Sequence, residues 1–232
     1  MNEMMKVNIK VAKQNIKSLI QVLFHRYKKS YSRDGEDILL AKYLTKKTGL
    51  YVDIGCGHPI VGNNTYFLYR KGWRGIVVDP NPKYIKKYKF FRPRDIAINA
   101  AVGNSNKVTD YYVFSRGTYN TLDKQKAEAV ISDNKSELVE KKKIETVALK
   151  NILDNNSVSN IDVLDIDVEG FEDEVLKSFD LDIIKPGIIL IELKTDSLEH
   201  VHKDEIYKLL TSSGYTLRAF TGLTALFEIN KI

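Results

Sequence analysis

The chain has 232 residues, of which 36 are Lys or Arg and 30 are Asp or Glu, so its formal net charge is +6. This length suits one α/β domain with a sizeable core. One cysteine and four histidines exclude a disulfide framework and supply too few ligands for a Cys/His zinc cluster. No apolar run approaches the ~20 residues that cross a bilayer, and no signal-peptide pattern is present, so we expect a cytoplasmic protein.

The first predicted element is an amphipathic helix over residues 8–28. Its apolar residues recur with helical spacing, and the segment from Met4 to Arg33 carries eight basic residues and no acid. A basic amphipathic helix is typical of segments that lie on a membrane surface, although a domain cover or an oligomer contact has the same pattern. We therefore separate an N-terminal helical segment, 1–29, from a domain over 30–232.

A mostly parallel α/β sheet is predicted for the rest of the chain. After a helix over 35–47, strands at 50–54 and 75–79 flank a helix over 63–71 and form a βαβ unit. The pattern gives no firm assignment for residues 117–143. The alternation predicts helices on both sheet faces and an antiparallel C-terminal hairpin at one edge. Further strands are predicted at 96–101, 108–114, 144–148, 161–166, 187–193, 215–220 and 225–229, and further helices near 83–90, 149–155, 171–178 and 202–213.

A nucleotide-binding corner is predicted where the first two strands end. Gly55-Cys56-Gly57 follows the first strand, and two glycines let the backbone approach a ligand closely. Asp79 ends the second strand, where an acid commonly accepts hydrogen bonds from a ribose diol. A tight turn at the glycines and a turn acid before Pro80 are the simpler alternatives.

The residues after the glycines indicate the kind of nucleotide. Ile60, preceded by Pro59, stands where a dinucleotide-binding loop has its third glycine, so a pyrophosphate would lack its cradle of free amides. S-adenosylmethionine has ribose and adenine but no phosphate. It needs the two glycines and the acid alone, and the pattern therefore favours it.

Five ordered motifs between residues 30 and 195 resemble the FkbM-type methyltransferases. These enzymes use S-adenosylmethionine to methylate hydroxyls, often on sugars or natural products. The resemblance implies a class I methyltransferase fold, Rossmann-like, with a seven-stranded sheet. Arg33 departs from the pattern, which has Gln at that position. The motifs are Ser32-x-x-Gly35-Glu36-Asp37, Val52-Asp53-Ile54-Gly55 running into His58-Pro59, Asn64-Thr65-Tyr66 with Gly72-Trp73-x-Gly75, Asp79-Pro80-Asn81-Pro82, and Ile166-Asp167-Val168-Glu169-Gly170 with Glu172.

The same resemblance implies which residues bind the cofactor. Ser32 and Glu36 are expected to close over the methionine end, and Ala100 and Ala101 are expected to lie against adenine. Asn64 would sit beside the glycine turn, where a helix cap or a turn is an equally good interpretation. The remaining implied cofactor residues are Asp53, Gly55, Gly57, Asp79 and Pro80.

Asp167 and Glu169 are the candidate catalytic residues. They come after the strand over 161–166, and alternation along an extended segment would point both side chains the same way. A hydroxyl is a poor nucleophile at neutral pH, so it needs a general base or a metal. The pair could bind Mg²⁺ or Mn²⁺, or one member could take the proton. His58 could reach the same region as a base or ligand, or be a turn histidine.

The uneven charge suggests an anionic partner, although a solvated helix face is the simpler interpretation of any one charged run. Residues 160–182 contain nine acids and one base, whereas the basic residues are concentrated in the N-terminal segment and between Arg70 and Arg94. We expect a small-molecule or glycan acceptor, and peripheral contact with a membrane through residues 8–28 is a second hypothesis. A binding module with a non-catalytic nucleotide pocket and an RNA methyltransferase are the alternatives, and the lack of an RNA-binding motif disfavours nucleic acid.

Overall fold

A computed structural model describes residues 30–104, 107–195 and 197–230. The predicted helix over 8–28, and with it the predicted N-terminal segment 1–29, lies outside the described residues. The strands are β1 Leu50–Ile54, β2 Arg74–Val78, β3 Ile96–Ile98, β4 Ala101–Val102, β5 Val108–Phe114, β6 Leu138–Val147, β7 Val163–Ile166, β8 Ile188–Glu192, β9 Tyr215–Phe220 and β10 Thr224–Ile229. The α-helices are α1 Glu36–Tyr43, α2 Tyr66–Arg70, α3 Pro82–Phe91, α4 Lys124–Ser132, α5 Leu149–Asn155, α6 Glu172–Leu176 and α7 Glu205–Ser212.

A seven-stranded sheet in the order β3-β2-β1-β7-β8-β10-β9 forms the centre of the protein. The five strands from β3 to β8 are parallel, and β10 is antiparallel to both of its neighbours. The expected mostly parallel sheet and the C-terminal hairpin are therefore confirmed. The strand order reverses between β1 and β7, and ligands of open α/β sheets collect at such a point.

Side chains alternate between two apolar cores along each central strand. In β1, Val52 and Ile54 pack into one core, while Tyr51 packs into the core on the other face. Strands β7 and β8 divide in the same way, with Leu164 and Ile189 on the first side. Near-continuous apolar runs are what a parallel sheet covered on both faces requires.

The strands predicted at 108–114 and 144–148 belong not to the main sheet but to a separate, smaller sheet of order β4-β6-β5. Strand β6 extends back to Leu138, and its residues 138–145 pair antiparallel with β5. The lysines of β6 suit a sheet at the surface better than the covered main sheet. Lys141 and Lys143 lie at the surface and pair with Asp110 at 3.2 and 2.8 Å. The segment 117–143, which had no firm assignment, contributes α4 and the start of β6, and α4 lies beside the carboxyl ends of the main strands.

Several helix boundaries differ from those expected. The helix predicted over 35–47 ends at Tyr43, and the one predicted over 63–71 begins at Tyr66. The strand expected over 96–101 divides into β3 and β4, which belong to different sheets. Among the residues that the structure describes, no helix has both the length and the apolar character needed to cross a bilayer.

Candidate active site

A cavity of about 510 Å³ opens at the carboxyl ends of the parallel strands. The loops after β1, β2, β7 and β8 form its floor, and the loop before α1 together with residues between β5 and α4 covers its sides. Of the residues implicated from the sequence, twelve line it: Ser32, Glu36, Gly55, Gly57, His58, Asn64, Asp79, Pro80, Ala100, Ala101, Asp167 and Glu169.

The turn after β1 needs glycine for two separate reasons. Gly55 and Gly57 have φ of +82° and +53°, in the left-handed region that other residues avoid. A Cβ on Gly55 would lie 1.7 Å from the carbonyl oxygen of Asp167, so no side chain fits there. The Gly55 and Cys56 amides donate to the Val78 carbonyl at 2.9 and 3.2 Å, which ties the turn to β2.

Asp79 faces this turn from the end of β2. Its Oδ2 accepts a hydrogen bond from the Gly57 amide at 3.0 Å, and its Oδ1 accepts one from the Asn81 amide at 2.7 Å. Each carboxylate oxygen keeps a further lone pair, which a ribose diol could use. Burial raises the pKa of Asp79 to about 6, although the two amides oppose this change.

An apolar compartment lies beyond Asp79. Ala100, Ala101 and Pro80 line this part of the cavity, and the contact of the two alanines with adenine stays a prediction. Tyr84, Tyr111 and Leu122 line the same cavity, and no motif in the sequence pointed to them. Tyr111 and Leu122 come from the smaller sheet and the segment after it, whose position no local pattern predicts. An apolar slot beside an acid that could bind a ribose is suited to adenine.

Three carboxylates and one lysine gather where β7 and β8 end, on the other side of β1 from Asp79. Lys126 Nζ lies 3.0 Å from Glu169 Oε2 and 3.8 Å from Glu192 Oε2. Asp167 and Glu192 also line the cavity. Burial raises the pKa of Glu192 to about 7, to which Glu169 adds and which Lys126 opposes. Burial and the nearby Glu192 and Glu169 charges raise the pKa of Asp167 well above its ordinary value.

Glu192 was not identified from the sequence, although a signal existed. It is the last residue of β8, the strand next to β7, and acids at the carboxyl ends of parallel strands meet at one edge.

Asp167 and Glu169 do both reach the cavity, but the expected extended alternation is wrong. Glu169 has φ of +55° and Gly170 has φ of +100°, so the chain turns sharply between them. The Thr121 hydroxyl holds this turn by donating to the Glu169 carbonyl at 2.6 Å.

The donor set at Asp167 and Glu169 does not suit a divalent cation. The Lys126 ammonium occupies the position beside Glu169. Burial alone would lower the pKa of Lys126, but the Glu169 and Glu192 charges outweigh burial and raise this pKa. Within 30–104, 107–195 and 197–230, no group of three or more His, Cys, Asp and Glu side chains is arranged to hold a metal ion. The predicted metal site thus has no support in these residues.

His58 lies in a turn at the cavity wall. Its Nδ1 accepts hydrogen bonds from the Ile60 and Val61 amides at 3.3 and 3.2 Å. Burial, with a contribution from Lys87, lowers the pKa of His58, so the ring is neutral and Nε2 carries its proton. This arrangement fits the turn interpretation better than that of a general base.

The loop before α1 is fastened to the domain by acids. The Asp37 carboxylate accepts hydrogen bonds from the Ser30 and Ser32 hydroxyls at 2.7 and 2.9 Å. Glu36 is buried and accepts hydrogen bonds from the Asp34 amide at 2.9 Å and the Thr221 hydroxyl at 3.0 Å. Ser32 and Glu36 therefore line the cavity as parts of a fixed wall, and their contact with the methionine end of the cofactor stays a prediction.

Asp53 lies behind the cavity wall, where it accepts a hydrogen bond from the Thr65 hydroxyl at 2.5 Å. Burial raises the pKa of Asp53 to about 6, and Arg92 opposes this change. Asn64 does line the cavity and donates to Asp165 at 3.2 Å, while Thr65 precedes the helix. Direct contact between Asp53 and a cofactor thus stays a prediction that its position does not favour.

A buried arginine binds the loop that follows the glycine turn. Arg92 is fully buried and donates five hydrogen bonds, to Asp95, Asn63, Tyr51, Thr65 and the Pro59 carbonyl. Since Arg has five N–H donors, this set uses its capacity. The arginine fixes the loop between Pro59 and Thr65 against β1, and no sequence motif had marked it as part of the site.

Comparison with known proteins agrees with this geometry. Residues 53–217 match the methyltransferase FkbM domain. A solved structure of the O-methyltransferase from Bacillus cereus in complex with SAH (S-adenosylhomocysteine) aligns over 92% of this chain and 88% of its own, with 13% identity and a TM-score of 0.38. No curated protein matches the sequence. The family match spans the glycine turn, Asp79, the three carboxylates and most of the central sheet, and the chain therefore belongs to the FkbM family of S-adenosylmethionine-dependent methyltransferases.

Proposed function

We propose that the protein methylates a hydroxyl of a sugar, a glycan or a nucleotide-linked sugar. The observation that carries this proposal is the position of Asp167 and Glu192, two carboxyl groups that line the cavity at the ends of β7 and β8, across β1 from Asp79. With ribose at Asp79, the methionine end of the cofactor would extend towards these acids. An acceptor hydroxyl next to them would lie beside groups that can bind it and remove its proton.

The cofactor, when bound, supplies an electrophilic methyl carbon whose bond to sulfur breaks as the acceptor oxygen bonds to it. The hydroxyl proton must then leave. We assign its removal to Glu192, because a carboxylate with a pKa of about 7 is ionised in half of the molecules at neutral pH and is still basic. Glu169 is a weaker candidate because its carboxylate is paired with Lys126 at 3.0 Å.

Asp167 has a different role in this proposal. Burial and the Glu192 and Glu169 charges raise the pKa of its carboxyl group, and a carboxyl group that carries a proton can donate a hydrogen bond. It would hold the acceptor oxygen in line with the methyl carbon while Glu192 takes the proton. Asp167, Glu169 and His58 were the catalytic candidates from the sequence, and the proposal keeps Asp167 as an orienting group and moves the base to Glu192.

One cation stands among the mostly acidic residues that line the cavity. Arg33 lines it and lowers the pKa of Glu192 from a distance, which is the effect expected of a cation near the acids. The residue that departs from the family pattern could therefore attract a negative group on the acceptor. A sugar attached to a phosphate would combine hydroxyls for the carboxylates with a negative charge for Arg33.

The test is methyl transfer from labelled S-adenosylmethionine to pools of nucleotide sugars, glycans and total RNA. We expect label in a sugar ether, identified by mass spectrometry, with a loss of about a hundredfold or more in Glu192→Gln. Glu128→Gln, an exposed acid of α4, is the matched control and keeps full activity. Label in RNA, label on nitrogen, or equal activity of Glu192→Gln would refute the proposal.

A further inference from the structure

The outer face of α3 combines lysines with exposed apolar rings. We call it the α3 face and define it as Lys83, Lys86, Lys87, Lys89, Phe90, Phe91, Arg94 and Ile96. Phe90 is 79% exposed, Phe91 is 44% exposed and Ile96 is 50% exposed. Scattered exposed apolar residues are ordinary. Three exposed apolar side chains grouped together with cations around them form an apolar patch with a basic rim, which is typical of an interaction surface.

The lysines of this face have no counterion among the described residues. Lys83, Lys86, Lys87 and Lys89 make no ion pair with another described residue, whereas Lys177 and Lys208 each pair with an acid three residues earlier in the chain. Helix α3 itself contains no acid. The face therefore presents an uncompensated positive potential around an apolar centre.

This face adjoins the opening of the cavity. Tyr84, from the first turn of α3, lines the cavity, and Lys87 lies close enough to His58 on the cavity wall to lower its pKa. Val61, which is 73% exposed, belongs to the same rim. A surface that met the α3 face would consequently lie next to the entrance through which an acceptor reaches the acids.

We propose that the α3 face docks on an anionic lipid bilayer, with Phe90 and Phe91 inserted among the headgroups and the lysines on lipid phosphates. Apolar rings between lysines are the composition of interfacial membrane-binding segments, and each lysine near an anionic leaflet adds to the attraction. The two rings stand edge to face, at 4.9 Å and 89°, and so offer no parallel platform for stacked bases. Lipid is accordingly favoured over nucleic acid.

Docking through this face does not depend on the proposed acceptor chemistry. It would place the cavity entrance at the height of the headgroups, where a sugar or phosphate carried by a lipid would be found. It is also separate from the contact expected of residues 8–28, since it rests only on α3 and its surroundings. Binding and turnover can thus be measured independently of each other.

Vesicle flotation of the full chain tests the proposal. Phosphatidylcholine vesicles with phosphatidylserine are compared with pure phosphatidylcholine vesicles. We expect binding to the anionic vesicles alone, a marked loss at high salt, and at least a tenfold reduction in Lys86→Glu/Lys89→Glu/Phe90→Ser. All three residues are exposed, and an unchanged melting temperature checks that the variant folds.

The matched control is Lys177→Glu/Lys185→Glu/Ile183→Ser. It makes the same change in net charge and removes one exposed apolar side chain at a distance from α3, so it should float like the wild type. The proposal is overturned if the wild type does not float, or if both triple variants float equally well. It is also overturned if the α3 variant loses binding to single-stranded RNA while its vesicle binding is unchanged.

Discussion

The carbonyl oxygen of Asp167 occupies the space that a side chain on Gly55 would need, at 1.7 Å from the ideal Cβ position. Gly55 belongs to the glycine turn after β1, and Asp167 belongs to the acidic loop after β7. Because β1 and β7 are neighbours in the sheet, the glycine turn and the loop that carries Asp167 are in direct contact. Changing the glycine should therefore disturb both.

Gly55→Ala is expected to abolish cofactor binding. The new methyl group would push the Asp167 loop aside, at a cost of about 1–3 kcal/mol for overpacking in addition to ~1–2 kcal/mol for the left-handed backbone. Calorimetric titration with S-adenosylhomocysteine measures the affinity, and thermal unfolding measures the stability.

Gly72→Ala separates the two costs. Gly72 has φ of +89° but no atom within 4 Å of its ideal Cβ position, so this control carries the backbone strain without the collision. We expect it to lose stability and to bind S-adenosylhomocysteine normally. If Gly55→Ala binds S-adenosylhomocysteine as well as Gly72→Ala does, the close contact with Asp167 does not matter for cofactor binding.

Much of the fold could be predicted from local patterns. The apolar runs that form β1, β2, β7 and β8, together with the glycine after β1, predict a parallel sheet and the place of its ligand without reference to distant residues. The small sheet could not be predicted in the same way, because β5 and β6 are joined by pairings between residues that lie far apart in the sequence, such as Val108 with Glu145. The register of such a pair depends on the tertiary structure.

Some residues of the site could likewise be predicted from local patterns, and others could not. Gly55, Gly57 and Asp79 belong to motifs at strand ends, so their places were predictable. Lys126 comes from α4, in the segment without a firm prediction, and only the folded chain brings it to Glu169 and Glu192. In the sequence, where the position of Lys126 cannot be known, Asp167 and Glu169 are indistinguishable from a pair of metal ligands.

Asp79→Asn should weaken S-adenosylhomocysteine binding about 10- to 100-fold. The amide keeps the shape of the side chain but loses the charge and one acceptor, and a hydrogen bond to a charged group is worth about 1.5–3 kcal/mol. Since the pKa of Asp79 is about 6, wild-type affinity should also fall as the pH drops from 7 to 5, when the carboxylate gains a proton. Calorimetry across this range measures both effects. An Asn variant with the same pH profile as the wild type would contradict the assignment.

Glu192 should set the acidic limb of the pH–rate profile. A base must be deprotonated, so kcat/KM should rise with pH up to about 7 and level off above it. Lys126→Gln removes a cation that holds the pKa of Glu192 down, and so the limb should move to higher pH. Lys124→Gln, an exposed neighbour on the same helix, should leave the limb in place. If the Lys126 variant keeps the wild-type profile, the limb belongs to another group.

Removal of divalent cations should leave turnover unchanged. Lys126 already supplies positive charge beside Glu169, at 3.0 Å, so the acids do not need a cation for compensation. The measurement is the rate after exhaustive treatment with EDTA, with and without added Mg²⁺ or Mn²⁺. A rate that falls with EDTA and returns with either ion would revive the metal hypothesis.

Asp165→Asn is expected to stabilise the protein at neutral and alkaline pH. Asp165 is buried beside Asp53, its partner in the β1–β7 register, and burial together with the Asp53 charge raises the pKa of Asp165 well above its ordinary value. The folded state therefore holds a proton that the unfolded state releases, and stability present at low pH is lost as the pH rises through the range between the unfolded-state and folded-state pKa values.

The asparagine removes this loss. Its side-chain oxygen can still accept the hydrogen bond from Asn64 while no charge has to be buried, so the melting temperature should exceed that of the wild type at pH 8 and approach it at pH 4. Asp182→Asn, at an exposed site, should leave the pH dependence of melting unchanged. Equal or lower stability of Asp165→Asn at pH 8 would mean that the Asp165 carboxylate is held by favourable contacts, and that the two adjacent acids stabilise the sheet in their charged form.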